Sequence, residues 1–148
     1  VHRDNVLTQR AASLFEWLWF KAHVLKLIAP LRKDDRTIPF LSDESVTMAQ
    51  ITVVKLDMQP IRLESIIGTQ GRMNYDKDFL PLQHRDKKRW MSVAIAMMGD
   101  PTVLAPISVV QIEDRYYTSD GNHRVSVAKA LDKLFIDANV TQWIRNSK

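Results

Sequence analysis

The chain has 148 residues, enough for one domain with a sizeable core and an appendage. Its 45% hydrophobic and 26% charged residues are those of a globular protein and exclude a disordered or fibrous one. The absence of cysteine excludes disulfides and thiolate chemistry and fits a reducing, cytoplasmic setting, while the net charge of +4 favours anionic partners without specifying nucleic acid.

In chain order, the first predicted element is a helix from about Asn5 to Ala29, dense in apolar residues from Leu14 to Phe20 and on through Val24, Leu25, Leu27 and Ile28. Arg10, Glu16, Lys21, His23 and Lys26 interrupt it too often for a membrane span. Core packing, a homodimer contact and a membrane-surface helix are the three uses of such a face, and core or dimer fits its breadth best. Pro30 is expected to end the helix, and Arg32 to Arg36 to form a charged turn. Ser42 and Ser45 are expected to cap a brief helix through Gln50. These residues form a helical extension over 1–57, followed by a main domain over 58–148.

The main domain is expected to open with a short edge strand from Gln59 to Leu63, then a loop with two glycines, Gly68 to Arg72. A helix runs from His84 to Met98 and stops at Gly99. Its basic start, Arg85, Lys87, Lys88 and Arg89, is a candidate for phosphate-backbone contact, with Trp90 as a base-stacking partner; a solvated helix face is the plainer use of the same charges. Ile107–Ile112 and Arg115–Thr118 form a predicted hairpin across Glu113-Asp114, and Phe135 to Val140 a final strand followed by a fraying tail.

Between hairpin and final strand lies Asp120-Gly121-Asn122-His123-Arg124, which opens a helix through Leu131. A glycine turn before a helix offers close backbone approach and free N–H groups at the positive end of the dipole, the usual means of holding a phosphate. Arg124 would add a fork of donors. Ordinary turn and capping chemistry is the alternative for these same residues, Asp120 then being only a helix cap and His123 bonded to a neighbouring carbonyl.

The order Pro60 to Ile67, Thr69 to Arg72 with Tyr75-Asp76, Ala105 to Val110, Tyr116-Tyr117, Asp120 to Leu131 and Phe135 to Val140 resembles the ParB/sulfiredoxin superfamily, over a little more than half of the chain. The resemblance implies an α+β fold: a small mixed sheet with packed helices, here preceded by the helical extension. It implies phosphate or nucleotide binding by Gly121, Asn122, His123 and Arg124, with Arg72 on a second wall, and CTP, ATP or ADP as the nucleotide, with Mg²⁺. Sulfiredoxins carry cysteine where this chain has Asn122, so that activity is not implied. Partition proteins have an arginine at the place of His123 and a following helix-turn-helix domain. The Asp-Gly-His-His-Arg box of nucleotide-dependent free-serine kinases is similar to Asp120–Arg124, and by that likeness Asp120 or His123 would stand near the transferred group or its Mg²⁺, with Glu64 as candidate base. The functional expectation is a nucleotide-binding, DNA-associated or regulatory protein of bacterial type. The alternatives are a small-molecule kinase, a ParB-like nuclease, or an interaction module with a vestigial pocket.

Overall fold

The computed structural model describes residues 2–42 and 50–146. The expected cap at Ser42–Ser45 therefore falls largely outside the described residues. Helix α1, His2–Arg32, carries Pro30 inside its last turn. It therefore runs past the expected stop: proline loses its own N–H, but its carbonyl still accepts from Lys33, and the Asp34 N–H closes on Ala29 O at 3.0 Å.

Six strands form one mixed sheet, β1 (Ile51–Lys55), β2 (Gln59–Arg62), β3 (Ile66–Thr69), β4 (Ile107–Ile112), β5 (Arg115–Asp120) and β6 (Phe135–Arg145). β6 is its spine. β1 and β2 lie end to end along one edge of β6, both antiparallel, while β4 runs parallel to its other edge. β5 pairs antiparallel with β4, and β3 closes the order in parallel with β5. Two sequence expectations are corrected here. The segment expected to fray is the second half of β6, because Thr141–Arg145 pairs antiparallel with β1, a strand that the sequence did not signal. Gly68 and Thr69, expected in a loop, are in β3; a Cβ on Gly68 would stand 2.3 Å from Pro39 O, so the glycine is there for close backbone approach.

Helices α2 (Lys87–Gly99) and α3 (Asn122–Ala130) pack on each other, and α1 packs on α2. The main core gathers Phe15 and Leu18 of α1, Trp90 and Ala94 of α2, Val125, Val127 and Ala128 of α3, and the sheet residues Ile107, Val109 and Val140. Val110, next along β4, points to the opposite face and joins a smaller cluster with Leu41, Ile51 and Trp143. The chain is thus an α+β protein in which one face of the sheet carries three helices. Among the described residues no helix is long and apolar enough to cross a membrane.

Candidate functional site

The site forms where β5 ends and α3 begins. Gly121 holds φ at 111°, and a Cβ there would meet Ile107 Cγ2 at 2.5 Å, so the turn demands glycine twice over, for its dihedral and for its contact. The first intrahelical bond runs from the Val125 N–H to Gly121 O at 3.0 Å, and no side chain caps the helix. The N–H groups of Asn122, His123 and Arg124 are the leading donors of α3, at the positive end of its dipole. They open into a cleft of about 510 Å³ whose other walls carry Gly71, Arg72 and Asn74 from the loop after β3 and Arg89 and Val93 from α2.

Arg72 reaches this cleft because its loop is fastened to the turn. Asn122 donates from Nδ2 to Arg72 O at 3.0 Å and to Thr69 Oγ1 at 3.3 Å, while its Oδ1 accepts from Thr118. The Gly71 N–H donates to Thr69 Oγ1, and the Gln70 N–H to Thr118 O. The Asn122 side chain is therefore a clamp between two walls, and only its backbone N–H faces the role expected of it. Arg124 is also differently employed: its guanidinium donates to Ala105 O at 2.6 Å, to Pro106 O at 2.9 Å and to Asp120 Oδ2 at 3.0 Å. It braces the turn against the loop before β4, and Asp120 is its ion-pair partner instead of a helix cap.

His123 is half-buried, and its Nδ1 hydrogen-bonds the Tyr75 hydroxyl, with the two rings edge-on at 5.6 Å. The indole Nε1–H of Trp90 can only donate, and gives its proton to Ser126 Oγ at 2.9 Å. Burial pushes the Tyr75 phenol well above its ordinary range and keeps it protonated. The protonated Tyr75 hydroxyl is thus able to donate to His123 Nδ1, and the His123 side chain lines the cleft. Burial is the largest force on the imidazole and lowers its pKa; Asp86 pulls it up, and Arg89, Arg72 and Arg124 push it further down. Protonation is consequently linked to unfolding. Stability is full above about 6.5, the ordinary histidine value, and falls as pH drops below it, because the unfolded chain takes up a proton that the folded one resists. Urea titrations between pH 7.5 and 5 should show a slope that His123→Gln reduces. An unchanged slope would place the pH sensitivity elsewhere.

The remaining sequence candidates separate. Arg89 joins the cleft, and Arg85 and Lys88 are exposed. Lys87 instead pairs with Glu16 of α1 at 2.7 Å, an acceptor shared with His84. Trp90, expected to stack on a base, is fully buried in the core and bonded to Ser126, so it has no face to offer. Glu64 is exposed and ion-paired with Arg62 at 2.8 Å in the single turn Leu63–Ser65. Since β3 runs away from that turn towards Arg72, Glu64 stands at the far end of the strand from the cleft. Tyr75 and Ser126 were not legible as site residues, because their contacts, with His123 and Trp90, are 48 and 36 residues apart in sequence.

These observations define an α+β protein with an arginine-walled cleft at a helix N-terminus. No protein-family model matches the chain, and no curated protein matches it. Among solved structures it is similar to sulfiredoxin from Arabidopsis thaliana, with 16% sequence identity over 62% of this chain and 88% of that chain, and a TM-score of 0.43.

Proposed function

We propose that the cleft binds the phosphates of a nucleotide, in a ParB-like domain of a DNA-associated or regulatory protein. The observation that carries this reading is the convergence of Arg72, Arg89 and the uncapped N-terminus of α3 on one cleft. Guanidinium groups and helix N–H donors are complementary to a phosphate, and about 510 Å³ is within the range of small-molecule sites. Val93 gives the cleft an apolar flank where a base or sugar can lie. The motif order around Asp120–Arg124 supports the same reading from the sequence. Exposed Arg85 and Lys88, close in sequence to Arg89, support the DNA association, since they extend positive charge beyond what a mononucleotide needs.

Mg²⁺ would arrive on the nucleotide. Among the described residues no cluster of three or more His, Cys, Asp or Glu forms a cage, but Asp120 lies in the cleft, and Mg²⁺ commonly rests on one carboxylate plus phosphates. The presence of Asp120 beside His123 favours, as a second reading, a nucleotide-dependent phosphoryl transfer. That reading takes no base from Glu64.

Calorimetric titration with CTP, ATP and ADP, each with and without Mg²⁺, tests both readings. Arg72→Ala and Arg89→Ala should each weaken the nucleotide by about 1–2 kcal/mol, the scale of charge-assisted bonds at a solvated cleft. Unchanged affinity in both variants would remove the ligand from this cleft. Mg²⁺-dependent turnover would favour the enzyme, and salt-sensitive DNA binding the regulator.

A further inference from the structure

Helix α1 has two apolar seams. One faces the body: Ala11, Phe15, Leu18, Ala22 and Ala29 are buried. The other comprises Trp17, Phe20, Val24, Leu27 and Leu31, separated by three, four, three and four residues, and its members are exposed by 58%, 56%, 38%, 80% and 87%. At about 100° per residue the outer five fall within roughly 80° of one another and almost opposite the body seam. Trp17 and Phe20 already lie against each other at 6.2 Å.

From this we infer that the outer seam joins two copies of the chain through a parallel, in-register pair of α1 helices. Three features select a second helix as the occupant. The 3–4 spacing is the repeat that knobs-into-holes packing requires, with Val24 at a β-branched-favouring position and Leu27 at a leucine-favouring one for two strands. The stripe is narrow, whereas a helix lying in a lipid surface presents a broad apolar face. Its five side chains expose on the order of 700 Å² per copy, close to the contribution of one partner to a standard interface.

Self-pairing in parallel is favoured over the antiparallel alternatives. In register, all five layers meet their own kind. An antiparallel pair either sets Leu31 against Ser13 or leaves Trp17 beyond the end of the partner's helix, which stops at Arg32. A seam of just over two heptads would be a weak coiled coil in free peptides, but α1 is already ordered against its own body, so association does not carry the cost of forming the helix.

The test is sedimentation velocity on the full chain from about 1 to 100 µM. A concentration-dependent dimer is expected, with Leu27→Glu and Leu31→Glu each weakening it at least tenfold; both side chains are exposed, so a circular dichroism spectrum identical to that of the parent will show that the fold survives. The chain has no native cysteine, so Val24→Cys alone should form an intermolecular disulfide under mild oxidation. A monomer throughout the range would overturn the proposal, as would a monomer that instead co-sediments with anionic lipid vesicles. A cross-link that forms only between Val24→Cys and Leu27→Cys chains would overturn the parallel register.

Discussion

Gly121→Ala is expected to lower stability by about 3 kcal/mol and to remove the nucleotide binding proposed for the cleft. Two costs combine. At φ 111° any side chain is strained, by about 1–2 kcal/mol, and the new methyl would fall 2.5 Å from Ile107 Cγ2 and 2.8 Å from its Cβ, in a packed core where overfilling costs about 1–3 kcal/mol. Relief requires α3 to shift at its first residue, and that residue directs the leading N–H donors into the cleft. The third neighbour of the added methyl is Arg124 at 3.2 Å, so the brace to Ala105 and Pro106 is disturbed by the same shift. Gly71→Ala is the control: it lies in the same cleft, but its Cβ would have no neighbour nearer than 3.5 Å. Urea denaturation should separate the two variants, and equal stability of both would show that the turn has room that its geometry denies.

Asp76→Ala should cost more, about 3–5 kcal/mol, the scale for removing one partner of a buried ion pair. Asp76 is 2% exposed. One carboxylate oxygen accepts the N–H groups of Asp78 and Leu80, each at 2.9 Å, and the other accepts from Arg36 at 2.8 Å. Without it, Arg36 remains largely buried, with Nε already lacking a hydrogen-bond partner and only Asp34 and Asp78 to balance its charge. The two amides lose their acceptor as well. Since the neighbouring Tyr75 holds His123, the loss should also appear as a weaker Tyr75–His123 contact, visible in the His123 ¹⁵N shifts. Asp76→Asn keeps an acceptor and should lose less. A cost below about 1 kcal/mol for the alanine variant would mean that the surrounding loop rearranges freely.

The helices and the hairpin were legible because each is written in local periodicity. Helix α2 shows its apolar run and terminal glycine, and β4 and β5 their alternation about Glu113-Asp114. The turn at Gly121 was legible for a similar reason, since a positive φ leaves a mark in one residue. β1 was not, because Ile51–Lys55 alternates too briefly to stand out and owes its strand state to pairing with Thr141–Arg145. The roles of the site's polar side chains were the least legible. Arg124 and Asn122 have the chemistry of ligand donors, and only tertiary contacts reveal that the first braces a loop and the second ties Arg72 in place. Trp90 misled for the converse reason: a basic sequence neighbourhood says nothing about which side of the helix the indole occupies.

The position of β6 has a consequence for how the chain acquires its structure. Gln59 meets Ala138, and Ile51 meets Arg145, so both early strands find their neighbour only after most of the intervening chain has been drawn in. Closing such long loops precedes any reward from the contacts that they make, and this slows folding. Until then β1 and β2 are unsatisfied edges, open to pairing with other nascent molecules. The yield of folded protein at high expression should therefore be governed by the kinetics of this last strand more than by the final stability of the sheet.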